Sequence, residues 1–299
     1  MRLAFVVNSS AGSFRHLPRE ATVAAVAEAL RAAGHDVTVA VHPPRALAAA
    51  LAALARESGF DAVLVGGGDG SVLSAILAGL GIRVPLGVIP LGTLNLFARD
   101  LGLPPDPVEA ARRLAGAAAC RIDLAEVNGT PFAIWASLGM HPWMVRRRDH
   151  LQRDGMGKWR AVALAALRAL RRCPMVKVRL ALRGEVVTAA TPMIVVTNNA
   201  WRWGSPPTRP ALDEGVLEVH VARCSSRLSL AWLAFKALLG RPLGHLIETF
   251  RADTVEVMSR KRRLMLSLDG EVTVMASPLV FRARPKALTV LMPPHGCSP

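Results

Sequence analysis

Cysteine is scarce and scattered. Cys120, Cys173, Cys224 and Cys297 form no C-x-x-C pair, which fits a reduced compartment and argues against a zinc cage or a disulfide framework. Long apolar runs are missing as well. Hydrophobic residues make up 52% of the chain at a mean hydropathy of +0.32. Yet glycine, proline, asparagine or arginine interrupts every stretch before the roughly 18 residues that a spanning helix needs. The first eight residues have too short an apolar core for a signal peptide and read as a strand, so a cytoplasmic protein is expected. Eight histidines show no metal-site spacing. No Gly-x4-Gly-Lys-Ser/Thr is present, which removes a P-loop NTPase. Neither Gly-x-Gly-x-x-Gly nor a His-Arg-Asp loop occurs, which removes dinucleotide dehydrogenases and protein kinases. Acidic residues are few, 22 against 37 basic, for a formal charge of +15. Such a chain attracts anionic partners, namely membrane lipid, nucleotide or nucleic acid. Only five of the basic residues are lysine, so an Ala/Arg-rich composition accounts for the excess equally well. No nucleic-acid-binding motif accompanies the charge, and nucleic acid is not an expected partner.

What is present divides near residue 125, and 299 residues suffice for two cores. Before it, strands at residues 3–7, 37–41, 61–65, 84–89 and 121–124 alternate with helices at 18–33, 45–58, 71–80, 94–101 and 108–118. Alternation of this kind means crossover connections and a parallel sheet covered on both faces. After it, strands at 131–137, 175–182, 186–197, 216–222, 254–258, 264–268 and 272–275 follow without regular helices, and two helices interrupt at 157–172 and 228–239. The pattern predicts a mostly antiparallel β-sandwich over residues 126–284, with an α/β domain over 1–125 joined by 285–299 through a last strand at 287–291.

Two glycine loops follow buried strands in the first domain. Gly66-Gly67-Gly68-Asp69-Gly70-Ser71 leaves backbone donors unobstructed by a Cβ, and Ser71 opens a helix whose N-terminus favours a phosphate. Asp69 beside a phosphate is repulsive unless a cation sits between them, and Mg²⁺ held by one or two carboxylates plus phosphates is the usual arrangement. A tight turn with a capping Asp is the plainer reading. Pro90-Leu91-Gly92-Thr93-Leu94-Asn95 offers a hydroxyl and an amide at a helix start, where either is equally an N-cap. Asp123 ends a short strand and by itself reads as a surface carboxylate. Asp269-Gly270 between alternating strands is a strong hairpin signal, and Glu271 after it is a carboxylate fixed on a turn, suited to act as a base toward an attacking hydroxyl.

In combination these segments resemble the diacylglycerol kinase catalytic-domain family, in its bacterial lipid-kinase branch related to sphingosine kinases. The likeness covers nearly the whole chain. It runs through Asn8-Ser9-Ser10-Ala11-Gly12, Gly67-Gly68-Asp69-Gly70-Ser71 and the Pro-x-Gly-Thr-x-Asn stretch ending at Asn95. It continues through Ile122-Asp123-Leu124, Ser137-Leu138-Gly139, Asn198-Asn199, Leu212-Asp213-Glu214-Gly215 and Asp269-Gly270-Glu271. The resemblance implies an α/β nucleotide domain, a β-sandwich lipid domain and a cleft between them. It implies an ATP- and Mg²⁺-dependent transfer of phosphate to a lipid hydroxyl, diacylglycerol foremost. Asn8, Ser9, Ser10, Ala11, Gly12, Gly66, Gly67, Gly68, Asp69, Gly70, Ser71, Gly92 and Thr93 are then expected at the ATP. Asp69 and Asp123 are expected to position Mg²⁺, Glu271 to be the general base, and Ala211, Glu214 and Val216 to hold a structural metal. Leu96 stands where the family commonly has Asp, and Glu214 where it more usually has Asp.

The lipid is expected to be met at an anionic membrane surface. Residues 158–172 form a basic, strongly apolar helix preceded by Arg146-Arg147-Arg148, and Trp232, Phe235 and Leu239 share one face of the other helix. Core-facing helices with solvated arginines are the simpler reading of both, and Arg260-Lys261-Arg262-Arg263 reads most simply as a charged hairpin turn. Two rivals stand beside the lipid kinase. One is an NAD kinase relative, which shares the Gly-Gly-Asp-Gly loop; the other is a non-catalytic nucleotide- or lipid-binding regulator. The oligomeric state, monomer or homodimer, stays open.

Overall fold

Leu3-Ala4-Phe5-Val6-Val7 is buried throughout, as an apolar strand with neighbours on both edges and helices on both faces must be, and forms β1 (Arg2–Asn8). The computed structural model describes residues 1–56, 59–172, 175–182, 185–202, 208–224, 226–241 and 243–293. Two units result, Met1–Leu124 with Pro285–Pro299, and Ala125–Arg284.

In the first unit β1 is followed by α1 (Arg19–Ala32), β2 (Asp36–His42), α2 (Pro44–Leu54), β3 (Ala62–Gly67), α3 (Asp69–Leu77), β4 (Leu86–Pro90), α4 (Leu96–Asp100), α5 (Pro107–Ala115) and β5 (Ala118–Val127). Gly34, at φ +86°, ends α1 where the sequence predicts a stop. Pro44 opens α2, which closes at Leu54; the expected end at Ser58 lies outside the described residues. α3 opens at Asp69, two residues before the expected Ser71. Asp106 caps α5 by accepting from the Glu109 N–H at 2.8 Å. α5 closes before Gly116, and Ala118, expected to end it, opens β5 instead. The sheet runs β2-β1-β3-β4 and then the end of the last strand, all parallel.

The second unit takes β6 (Thr130–Phe132), β7 (Trp135–Gly139), α6 (Met140–Arg153), α7 (Lys158–Arg172), β8 (Val176–Leu182), β9 (Glu185–Thr191), β10 (Met193–Asn198), β11 (Leu217–Ala222), α8 (Arg227–Leu238), β12 (Ile247–Ala252), β13 (Thr254–Met258), β14 (Arg263–Leu268), β15 (Glu271–Ala276) and β16 (Leu279–Met292), whose end belongs to the first unit. One sheet is antiparallel throughout in the order β12-β11-β10-β7-β14-β15. In the other, the start of β16 pairs with β13, then β8 and β9, again antiparallel. The α/β half and the antiparallel sandwich are those the sequence predicts.

Several expectations need correction. The strand expected over 186–197 is two strands in different sheets, broken at Pro192, which has no N–H for a ladder and whose carbonyl accepts from Met140 N at 2.8 Å. α6 was not foreseen. Its only buried residues are Pro142, Val145 and Leu151, too few for a legible helical stripe. The basic run 260–263 is no hairpin turn, because it links β13 in one sheet to β14 in the other. β16 begins eight residues before the expected 287. Cys120 is disulfide-bonded, which corrects the expectation of four reduced thiols. Cys224 is buried and in no disulfide, while Cys173 and Cys297 lie outside the described residues.

Candidate functional site

β1, β3 and β4 are neighbours whose carboxyl ends fall together, with Val7 opposite Gly66 and Gly67 opposite Pro90. The three loops that leave them therefore meet, at the position where parallel sheets bind ligands. Asn8 Nδ2 donates to Ser71 Oγ at 3.0 Å, and Asn8 Oδ1 accepts from Ser10 N at 3.0 Å. Ser13 ties the first loop to the third, its N–H on Leu91 O at 2.9 Å and its Oγ on Gly92 O at 3.2 Å. The glycines make this approach possible. A Cβ on Gly92 would overlap the Gly68 Cα, one on Gly67 would overlap the Ser71 side chain, and one on Gly12 would lie 2.9 Å from Thr93 Oγ1. Thus Asn8 to Gly12, Gly66 to Ser71, and Gly92 with Thr93 come together in one unit.

Asp69 is the first residue of α3, and its Oδ1 accepts from Phe97 N at 3.0 Å. Burial raises its carboxyl above the ordinary value, the Phe97 and Leu96 N–H groups oppose the rise, and the Asp100 charge adds to it. The carboxylate thereby serves the N-terminus of α4. Asn95, at the N-cap position with φ +50°, does not cap that helix. Its amide folds back on its own turn, Oδ1 accepting from Gly92 N at 2.8 Å and Nδ2 donating to Gly92 O at 3.2 Å. Asp123 is buried rather than a surface carboxylate, and its Oδ1 accepts from Lys286 N at 2.8 Å. Among the described residues no group of three His, Cys, Asp or Glu side chains could hold a metal alone. A cation at Asp69 would need oxygens from a bound phosphate, which is how Mg²⁺ is usually held.

In the second unit, Asp269 and Gly270 take φ +46° and +92° and make the two-residue turn of the β14–β15 hairpin. Asp269 does more than turn. Its buried carboxylate accepts from Ala133 N at 2.7 Å and from Ile134 N and Trp135 N at 2.9 Å each. Burial raises this carboxyl above its ordinary value, and the three N–H groups with the Arg209 charge limit the rise. Arg209 and Asn198 donate to the Ala133 carbonyl at 2.6 and 3.0 Å, so one buried polar knot fixes the base of the hairpin. Glu271, the next residue, is exposed and lines an open cavity of about 1090 Å³ with α6 and α7 residues. Glu214 accepts from Ala200 N at 2.9 Å and the Val216 carbonyl from Asn199 N at 2.9 Å, beside Ala211 in the same loop. Both acceptors serve the 198–200 segment, a role that needs no cation. The Asn199 amide is buried with no partner among the described residues, which leaves an oxygen that a water or cation here would satisfy.

Residues 2–127 match the family described as Diacylglycerol kinase catalytic domain, and residues 139–292 match the YegS C-terminal NAD kinase beta sandwich-like domain. A protein named Diacylglycerol kinase from Mycobacterium tuberculosis is 32% identical over 260 residues, covering 82% of this chain and 81% of its own length. The chain belongs to the diacylglycerol kinase family. A Pseudomonas fluorescens protein named Probable lipid kinase YegS-like is 30% identical over 277 residues, 91% of this chain and 90% of its own. A crystal structure of a diacylglycerol kinase from Bacillus anthracis has the same fold, with a TM-score of 0.73 at 19% identity over 99% of this chain and 98% of that one.

Within that family frame, the sequence alone did not single out Asp269, Arg209 or Asn198 as members of one buried cluster. The hairpin signal explained Asp269 too well, and Arg209 lay among other arginines. The one hint in the sequence was Asn198-Asn199 at a strand end, two amides that a solvated loop would not need to bury.

Proposed function

We propose that the chain is an ATP- and Mg²⁺-dependent kinase that moves the γ-phosphate of ATP to the hydroxyl of a glycerolipid, with diacylglycerol the reference acceptor. The observation that carries this is the meeting of three glycine-bearing loops at the ends of β1, β3 and β4, with Gly68 and Gly92 in contact and Asp69 at the head of α3. Backbone donors at a helix N-terminus suit a polyphosphate. Phosphoryl transfer needs positioning and charge neutralisation more than covalent chemistry. Asp69 is the carboxylate to which Mg²⁺ would bind, its remaining ligands coming from the nucleotide. Bound there, Mg²⁺ would neutralise charge on the transferring phosphate; Asp123 would act in its support. Ala211, Glu214 and Val216, with the orphaned Asn199 amide, are the groups for a structural cation.

Glu271 is the proposed acceptor of the hydroxyl proton. It is exposed, and the Asp269 knot holds its hairpin rigid. A carboxylate is a weak base at pH 7, so its contribution comes late in transfer, when the hydroxyl acidifies. The test incubates the protein with γ-labelled ATP, Mg²⁺ and a lipid panel that includes diacylglycerol, with NAD alongside. Label in lipid is the expected result, and Glu271→Gln should lower turnover about 100-fold or more while ATP still binds. Label in NAD alone would overturn the lipid reading, label in nothing would favour a regulator, and full turnover in the variant would remove Glu271 from the reaction.

A further inference from the structure

β2 is the outermost strand of its sheet and pairs with β1 alone. The bonds from Asp36 N to Met1 O and from Ser9 N to His42 O fix which side of β2 faces β1. Alternate residues of a parallel ladder bond to the same neighbour, so Asp36, Thr38, Ala40 and His42 are spent on β1. Val37, Val39 and Val41 therefore turn their N–H and C=O groups outward. Among the described residues, the partner found on that side is Arg31 Nη2, which donates to the Val37 carbonyl at 2.8 Å and leaves its second lone pair open. Unpaired edges are usually blunted by lysine, proline or a bulge. The seven residues of β2 carry no lysine or proline, and their register with β1 is unbroken. The side chains offer apolar surface as well. Val41 is 44% exposed, and Val39 and Val41 line a shallow groove with Val23, Ala24 and Ala27 of α1.

We propose that this edge is a docking surface for a second copy of the chain, the two β2 strands pairing antiparallel about a two-fold axis at Val39. The order of residues along the strand argues for that occupant. Centred on Val39, the pairing sets Val37 against Val41, Thr38 against Ala40 and Asp36 against His42 across the axis. Val39 is itself an outward residue, so the axis falls on a hydrogen-bonded pair, and all three valines complete their ladder bonds across it. Both ends of the ladder then bring a carboxylate to an imidazole, which can donate to it whether neutral or charged. Any other register separates Asp36 from His42. That match matters in a chain of formal charge +15, whose copies otherwise repel. The groove beside α1 meets its own counterpart across the axis, which covers Val41. The inference is independent of the kinase reading, since it uses the strand edge and no catalytic group.

Sedimentation velocity of the full chain from about 1 µM to about 100 µM tests it, a range that suits a dimer of moderate strength. The wild type is expected to dimerise within that range. Val39→Pro deletes the outward N–H at the axis, which β1 does not use, and Val41→Lys places a charge on the ladder. Each should raise the dimer Kd about tenfold or more. Val274→Lys, at an exposed position of the other sheet's edge strand β15, should keep the wild-type Kd. Asp36→His and His42→Asp should each weaken self-association, and an equimolar mixture of the two should restore it, because each supplies the partner that the other lacks. A wild type still monomeric at about 100 µM would overturn the inference and leave the edge to a strand of another protein. A dimer that Val39→Pro and Val41→Lys leave unmoved, an equal loss in Val274→Lys, or a mixture no stronger than its components would overturn it too. If Val39→Pro shows no cooperative melting, Val41→Lys and the mixture decide.

Discussion

A methyl group on Gly92 would overlap the Gly68 Cα and lie 2.6 Å from Asn95 Oδ1. Both obstacles are parts of the loops themselves, one a backbone atom and the other an amide already held by Gly92 N, so neither can swing aside as a long side chain would. Gly92→Ala should push the two loops apart, lowering stability by about 1–3 kcal/mol and ATP affinity about tenfold or more. Nucleotide titration together with thermal melting checks this. Gly116→Ala, where an added Cβ meets nothing within 4 Å, is the matched control. Wild-type ATP affinity in Gly92→Ala would deny the phosphate role of the Gly68–Gly92 contact. Asp69 shows why single residues of such a loop resist assignment from sequence. Its carboxylate serves the N-terminus of α4 through Phe97 N, a partner 28 residues away that the local pattern does not reveal.

At the scale of elements, legibility followed burial. β1, β3 and β4 are buried on both faces, their apolar runs are unbroken, and glycines punctuate them, so their order and the meeting of their loops could be read directly. α6 could not, because it buries one residue per turn or fewer and opens with Met140-His141-Pro142. The 186–197 stretch reads as one strand because β-branched residues run on both sides of Pro192, and only pairing partners reveal two sheets. β11 holds a polar cluster that patterning missed as well. Glu218, nearly buried, faces Arg251 directly across β12 at 2.9 Å, lies 3.3 Å from His220 on its own strand, and accepts from Trp201 N at 2.9 Å. Burial alone would raise its carboxyl. The bonds from His220, Trp201 N and Arg251 outweigh it and hold the group down to about 2, against an ordinary 4.5. A carboxyl depressed on folding stabilises above its unfolded value, and that contribution is lost as pH falls from 4.5 toward 2, at most about 3 kcal/mol. Denaturant midpoints taken across that window should fall steeply in the wild type and more gently in Glu218→Gln. Parallel slopes for the two proteins would remove Glu218 from the acid response.

Across the whole molecule, a formal charge of +15 would attract an anionic surface but would not by itself hold the chain there, since salt screens exposed charge within about 10 Å. Holding needs apolar contact, and α8 offers it. Leu230 and Leu233 bury one side of the helix with Ala222, Cys224, Leu243 and Leu246. Leu228, Trp232, Phe235 and Leu239 are about half exposed or more, and the Trp232 and Phe235 rings stack at 5.6 Å. The simpler expectation that these residues face the core is therefore wrong for α8. For α7 it holds in part, with Ala161, Ala165 and Ala169 buried while Leu167 stays out. No helix among the described residues is long and apolar enough to cross a bilayer. An aromatic stripe with Arg227 and Lys236 on the same helix suits the interface of an anionic membrane instead. Burying one large side chain there is worth about 1.5–3 kcal/mol, or roughly tenfold or more in partitioning. Trp232→Ala and Phe235→Ala should each weaken sedimentation with phosphatidylglycerol-containing vesicles by at least that factor, and the loss should persist in high salt, where wild-type binding has already dropped to its apolar part. Turnover on a short-chain, water-soluble acceptor should stay near wild type in both variants, because the stripe acts on reaching the lipid and not on the transfer. Vesicle binding equal to wild type in the double variant would leave charge as the sole tether and take α8 out of the interface.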